Sequence, residues 1–294
     1  MWGLGYFDCL FKRERRHREA LFLLVKKEQS TSFTYSQKMP HSAPLRVPGT
    51  APSPSPADAF YAQSLELIAA ARDKNRATIS AVAPVIGHSL ATGGMLHVFG
   101  SGHSEVLARE IIGRAGGLAC INGIPDPTAG FIENLVGYGT ALVARYDRRH
   151  ELRPAETLLV ISNSGKNSAP IEVALYAKEK GLHVVGLCSQ HMSRTTPTVH
   201  PSGKRLHEIA DWTLDNLGVP GDTLVPLGNG EMSGPSSTLV GAMLLNLLML
   251  ETCAWMQAHG HPLPLLRSQN LPGAIEHNRR VAEPYKHRLS KQIA

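Results

Sequence analysis

The chain has 294 residues, of which 43% are hydrophobic, 18% charged and 6% aromatic, with 27 Gly, 20 Pro and a formal net charge of +6. That length suits one large α/β domain or two small ones with a real core. A mean hydropathy of −0.12, with no evident apolar run near 20 residues, gives no reason to expect a membrane span. The four cysteines (Cys9, Cys120, Cys188, Cys253) show no paired spacing, so neither a disulfide framework nor a Cys-type zinc site is expected. The expectation is a soluble cytoplasmic protein. The positive charge is unevenly placed. Residues 1–38 hold eight basic and four acidic side chains, so +4 of the total +6 sits there. The rest of the chain is nearly balanced and shows no basic stripe of the kind that tracks a phosphate backbone, so no nucleic-acid partner is expected.

Residues 1–56 read as a disordered basic and Pro/Ser-rich extension. Lys12–Arg18 is a charge run, and Gly49–Pro56 is GTAPSPSP, a linker composition. Met39 precedes the Pro-rich stretch, so translation starting there is an alternative. Residues 57–290 form the expected domain. Apolar residues at helical spacing predict a helix over 57–90, with Pro84 kinking or dividing it. Met95–Gly100 predicts a first strand, Glu105–Arg114 a helix and Leu118–Ile121 a second strand. Thr157–Ile161 predicts a third, followed by a helix over Ile171–Lys180 that closes at Gly181. Val184–Cys188 and Trp212–Leu214 predict the fourth and fifth, and a long apolar helix runs over about 236–257. Strands alternating with helices in this way predict a three-layer α/β/α domain with a five-stranded, mainly parallel sheet. Ligands then bind beyond the C-terminal strand ends.

Two loops stand at such ends. Gly100-Ser101-Gly102-His103-Ser104 follows the first strand. Its glycines permit a tight turn, and the helix after it is expected to offer free N–H groups. Glu105 stands where a dinucleotide fingerprint needs its third glycine, so no nicotinamide cofactor is expected. Ser162-Asn163-Ser164-Gly165-Lys166-Asn167 follows the third strand. Hydroxyls at i and i+2, a glycine and an immediate helix start suit a phosphate cradle.

Together these loops resemble the SIS (sugar isomerase) phosphosugar-binding domain, a flavodoxin-like α/β fold. The resemblance is closer to single-domain bacterial SIS proteins related to phosphoheptose isomerase and N-acetylmuramic acid 6-phosphate etherase. It rests on Phe99–Ser104, Arg114–Leu118, Gly137-Tyr138, Ser162–Asn167 with Pro170-Ile171-Glu172, and Ser202–Leu206. Further along, Asp215-Asn216, Gly221-Asp222, Gly234–Thr238, Ser268–Asn270 and Glu276–Asn278 belong to the same series. The resemblance implies a sugar phosphate held by Ser162, Asn163, Ser164 and Asn167, with Ser101 and Ser104 from the first loop and Ser236, Ser237 and Thr238 from a later helix start. It also implies a homodimer with shared sites, to which Glu276-His277-Asn278 could reach across.

Isomerisation of an aldose phosphate, or elimination of its C3 substituent, begins with removal of the C2 proton, a task for a carboxylate assisted by a histidine. Glu133, by its place after the second strand, is the leading base, ahead of Glu110, Asp222 and Glu105. Glu110 is equally explained by an ion pair with Arg114, and Asp222 by binding a sugar hydroxyl or capping a loop. His103 and His277 are the candidate catalytic histidines. His200 belongs to a lid or a basic turn, and His97 to the core. No histidine and carboxylate spacing suggests a metal, and no cofactor is expected. The reading is an isomerase or lyase acting on a sugar or N-acetylhexosamine 6-phosphate. The alternative is a non-catalytic phosphosugar sensor or regulator; against the sensor, the extension shows no helix-turn-helix pattern.

Overall fold

The computed structural model describes residues 54–290, so the expected extension lies outside it except for its last three residues. Helix α1 (Pro56–Ala91) opens on a reciprocal capping box: the Ser55 hydroxyl accepts from Asp58 N and the Asp58 carboxylate from Ser55 N, with Pro56 at the first helical position. The helix runs unbroken through Pro84, which was expected to kink or divide it. The carbonyl that Pro84 leaves without a donor belongs to the exposed Ser80 and can turn to water. The buried stripe Ile79, Val82, Ala83, Ile86, Leu90 supplies the packing that keeps the helix whole.

Strands β1 (Leu96–Gly100), β2 (Ile121–Ile124), β3 (Thr157–Ile161), β4 (His183–Cys188) and β5 (Trp212–Asp215) form one sheet in the order β2-β1-β3-β4-β5, with every pair parallel. Helices α2 (Ser104–Glu110), α3 (Tyr138–His150) and α4 (Ser168–Glu179) alternate with the strands. The short α5 (Gln190–Thr195) and α6 (Leu206–Ile209) connect β4 to β5. The pleat divides the core: Leu159 and Ile161 of β3 face a layer containing α1 and α2, while Leu158 and Val160 face α3 and α4. This is the three-layer α/β/α arrangement expected, with chain order reversing between β1 and β3, where open sheets form their ligand crevice.

Three elements depart from expectation. Strand β2 lies three residues beyond the predicted Leu118–Ile121, because the buried Asn122 inside it is satisfied by tertiary contacts: it donates to Arg288 O at 3.0 Å and accepts from the Ser290 hydroxyl at 2.7 Å. Leu118 forms an isolated antiparallel bridge with Leu265. Helix α2 ends at Glu110, so Arg114 lies outside it, although the two side chains do form an ion pair. An antiparallel hairpin of β6 (Thr223–Gly228) and β7 (Glu231–Pro235) was not anticipated. Its turn is Asn229-Gly230, both at positive φ, the geometry that Asn-Gly favours.

Helix α7 (Ser237–Ala258) returns from the crevice to the opposite edge and packs along α1. By length and composition alone it is apolar enough to cross a membrane, with mean hydropathy 1.7 over an 18-residue window, contrary to the expectation of no such apolar run. Its face of Val240, Gly241, Leu244, Leu245, Leu248 and Met256 is buried in the domain core. Gly241 brings α7 close to α2: a Cβ there would stand 2.6 Å from the Leu107 side chain, which would have to shift. Helix α8 (Ala274–Ala282) follows.

Beneath the strand N-termini lies a buried charge cluster. Glu156 accepts from Arg288 at 2.6 and 2.7 Å, from Met95 N at 3.0 Å and from Arg153 N at 3.0 Å, and pairs with His97 at 3.0 Å. The other His97 nitrogen meets Tyr146 OH at 2.7 Å, so His97 is the satisfied core residue expected. Burial pushes His97 below its ordinary value, against the pull of Glu156. Burial raises Glu156, but hydrogen bonds from His97 and Arg288 outweigh it and bring it to about 2. Both folded pKa values lie below the unfolded ones, so this stabilisation is present at neutral pH and is lost on acidification. Stability measured by denaturant titration should therefore decline as pH falls below the ordinary histidine value of 6.5, and again below the ordinary glutamate value of 4.5. Arg288→Ala, which strands the Glu156 carboxylate, should cost about 3–5 kcal/mol at neutral pH. An unchanged denaturation midpoint would show that the cluster carries no stability.

Candidate functional site

The loops that follow β1, β2, β3 and β5 meet at the carboxyl edge of the sheet. In the first, a Cβ on Gly100 would lie 2.3 Å from Ser104 O, so only glycine fits where the chain curls back. Ser104 N, Glu105 N and Val106 N bond to Ser101 O, Gly102 O and His103 O at 3.1, 3.0 and 3.2 Å. The first N–H groups of α2 are thus used internally, contrary to the expectation that they would be free.

The turn after β3 is built the other way. Its carbonyls face backward: Gly165 O accepts from Leu206 N at 2.8 Å, and Lys166 O from the Thr198 hydroxyl at 3.2 Å and Val199 N at 3.3 Å. Gly165 has φ 63° and lies where a Cβ would meet the Ser193 hydroxyl at 2.7 Å. Among the described residues no backbone acceptor takes the N–H groups of Ser164, Lys166 or Asn167. With Ser162, Ser164, the Lys166 charge and the start of the twelve-residue α4, this turn concentrates donors suited to an anion.

The loop after β2 supplies carboxylates. Asp126 is buried and accepts from the Ser101 hydroxyl at 2.7 Å, Thr128 N at 3.0 Å, the Thr128 hydroxyl at 2.8 Å, Gly130 N at 3.0 Å and Tyr138 OH at 2.6 Å. Burial alone would raise its pKa, but hydrogen bonds led by Tyr138 and Ser101 hold it below the ordinary range. Glu133 is half-buried. Its carboxylate accepts from Asn167 Nδ2 at 2.6 Å, and its carbonyl accepts from Ala169 N at 2.8 Å. Burial pushes Glu133 up, the neighbouring Asp126 charge adds to the rise, and the hydrogen bond from Asn167 and the Lys166 charge oppose it. Two adjacent carboxylates are therefore driven apart, one held ionised and one biased toward the neutral acid.

Between α2, the strand ends and α7 lies a cavity of about 200 Å³, lined by His103, Ser104, Leu107, Ile161, Asn163, Leu187, Asn216, Asp222, Ser237 and Thr238. Asp222, with φ 57°, caps α7: it accepts from Ser237 N at 2.9 Å, the Ser237 hydroxyl at 2.5 Å and the Ser236 hydroxyl at 3.2 Å. Asn216 donates to Asn163 Oδ1 at 2.8 Å.

The candidate residues thus fall into two adjoining groups. His103, Ser104, Asn163, Ser237 and Thr238 line the cavity, with Ser236 fully buried behind its wall. Ser101, Glu133 and Asn167 gather around Asp126. The turn carrying Ser162 and Ser164 follows β3, the strand whose last residue, Ile161, lines the cavity. His277 does not join them: it bonds to Leu265 O at 2.9 Å, beside the segment that precedes β2, at the opposite edge of the sheet. Glu105 pairs with Arg109 at 2.7 Å. His200 stands 3.6 Å from Glu172, whose carboxylate caps the start of α3 through Gly137 N and Thr140 N. Asp126, Asn216 and Glu172 were not singled out as site residues. Asp126 follows a strand directly and is found by the rule that found the other loops, once β2 is placed correctly.

These loops, on a parallel sheet of this order, define a SIS-type α/β protein, and residues 59–189 match the SIS domain family model. The chain belongs to the UPF0309 family. It is 34% identical over 239 residues to a UPF0309 protein of Geobacillus kaustophilus, covering 77% of this chain and 92% of that one. A UPF0309 protein of Caldanaerobacter subterraneus is 38% identical over 208 residues, covering 66% and 82%. Among solved structures, a phosphoheptose isomerase from Francisella tularensis aligns at TM-score 0.45 and 17% identity, covering 66% of this chain and 96% of that one. A likeness of that degree carries no functional weight.

The coupling of the two carboxylates is directly measurable. Asp126→Asn removes a like charge from beside Glu133 and frees the Ser101 hydroxyl to donate to it, and both changes lower the Glu133 pKa. A ¹³C-detected carboxyl titration should show the Glu133 midpoint moving toward the ordinary glutamate range. An unmoved midpoint would show that the two groups do not interact.

Proposed function

We propose that the protein binds a sugar or N-acetylhexosamine 6-phosphate at the turn after β3 and acts on it by C2 proton abstraction, leading to isomerisation or elimination. The observation that carries this reading is the direct bond between Glu133 and Asn167. It sets a carboxylate of raised pKa beside a row of N–H groups suited to a phosphate. A base biased toward neutrality can accept a C2 proton and return it. In the proposed step Glu133 takes the C2 proton, the C2–H pair becomes the C1–C2 double bond, and the C1 carbonyl pair moves onto its oxygen to give an enediolate. His103, on the cavity wall, assists ring opening or protonation of the departing oxygen. The phosphate is held by Ser162, Ser164 and Asn167 with the backbone of the same turn.

The reading places the enzyme in the cytoplasm as a homodimer. Exposed apolar side chains on α1 (Tyr61, Leu65) and at the start of α7 (Leu239) support self-association.

Proton NMR in D₂O with N-acetylglucosamine 6-phosphate and a panel of other sugar 6-phosphates tests the chemistry. Loss of the C2 proton signal is expected, with a vinylic signal marking elimination and a ketose pattern marking isomerisation. Binding without exchange would overturn catalysis in favour of a sensor. Glu133→Gln should retain binding and abolish exchange, and full activity in that variant would remove Glu133 from the role. Replacing Ser162 and Ser164 together with Ala should weaken binding strongly, since hydrogen bonds to a charged group contribute about 1.5–3 kcal/mol each.

A further inference from the structure

We infer that the cavity beside the phosphate-binding turn selects a monosaccharide monophosphate whose remote end is uncharged or amine-bearing, and excludes sugars carrying a second anionic group. The inference rests on the phosphosugar reading above and concerns the other end of the same ligand. The donors in this crevice are unequally distributed. The turn after β3 holds Lys166 and the N–H groups of Ser164, Lys166 and Asn167. The cavity lining has no lysine or arginine and one carboxylate, Asp222.

Three of the hydroxyls around the cavity are already committed to carboxylates. Ser236 and Ser237 both donate to Asp222, so neither has a proton for a phosphate oxygen. Ser101, on the other side, donates to Asp126, which is held ionised, so it too can only accept from a ligand. What remains on the cavity wall is the Ser104 and Thr238 hydroxyls, the His103 ring, the neutral amides of Asn163 and Asn216, and the Asp222 carboxylate over an apolar floor of Leu107, Ile161 and Leu187. That floor suits the C–H face of a sugar ring and the rim suits its hydroxyls. The volume is below the roughly 300–1,000 Å³ typical of sites for larger ligands, so a single ring fits.

Calorimetric titration of the full chain with glucose 6-phosphate, glucosamine 6-phosphate, 6-phosphogluconate and fructose 1,6-bisphosphate tests this. The two monophosphates without a second anion should bind at least tenfold more tightly than the other two. Asp222→Asn keeps an acceptor in the cap and suits the positive φ, and it should shrink that ratio to about threefold or less. Thr238→Lys, which leaves the cap intact, should bring fructose 1,6-bisphosphate to the affinity of the monophosphates and keeps the test open if the first variant does not fold. Equal binding of mono- and bisphosphates by the wild type would overturn the inference alone. An unchanged ratio in a folded Asp222→Asn would overturn the assignment to Asp222. No binding by any of the four would overturn the phosphosugar reading, and the inference with it.

Discussion

Parallel strands that all end on one edge leave that edge crowded with helix starts and turns whose N–H groups need acceptors, and here carboxylates meet most of that need. Asp126 gathers the loop after β2 and clasps it to Ser101 after β1. Glu172, from inside α4, accepts from the start of α3. Asp215 accepts from Gln190 N and Leu217 N, both at 3.0 Å, and Asp222 caps α7. Each joins segments that are distant in sequence, and each sits where a helix dipole or a row of N–H groups favours negative charge. The turn after β3 is the contrast. Among the described residues no carboxylate accepts from the backbone N–H groups of Ser164, Lys166 and Asn167, and a mobile anion is what such a turn leaves room for.

The opposite edge explains why this arrangement can hold its geometry. Glu156, His97 and Arg288 lock the last described residues beneath the strand starts, with Arg288 also reaching His150 O at 3.0 Å. Asn75, buried midway along α1, donates to Asp215 O at 2.8 Å and accepts from Asp215 N at 2.7 Å. The longest helix is thus fixed to the end of β5 at the residue that organises its loop. Such buried polar contacts add little net energy beside the two apolar layers, but an unpaired member would be expensive, so they define one register for the whole edge.

Much of this was legible in the sequence where local pattern and tertiary demand agree. Leu158–Ile161 is apolar at every position because both faces of a central parallel strand are covered, and the limits of β3 were read correctly. The helix ending near Gly181 was readable because only a left-handed residue suits that stop, here at φ 78°. The reading slipped where a polar residue is satisfied from far away. Asn122 looks unlike a strand residue until Arg288 and Ser290, more than 160 residues on, are brought to it. That slip hid Asp126, which stands just past the true end of β2. The Asn-Gly turn at 229–230 was a local signal and could have been used. The commitment of the Ser101, Ser236 and Ser237 hydroxyls to carboxylates was not readable, since nothing in the local sequence says which way a hydroxyl proton points.

The pair Asp126 and Glu133 shows why that last point matters for chemistry. Both are carboxylates near Ser101, and either could be drawn as a base. Asp126 accepts five hydrogen bonds, so protonating it would strip acceptors from the loop it organises, and its low pKa is the thermodynamic expression of that structural role. Glu133 accepts one side-chain bond, from Asn167, and lies half-buried beside a fixed negative charge. A proton added there relieves repulsion instead of breaking a loop. Environments that push two neighbouring carboxyls apart in this way separate a structural anion from a group that takes up a proton more readily. In the proposed reading the rigid member adds its charge to the burial that raises the proton affinity of the working one, while Ser101 and Asn167, on two other loops, hold each carboxyl in its place.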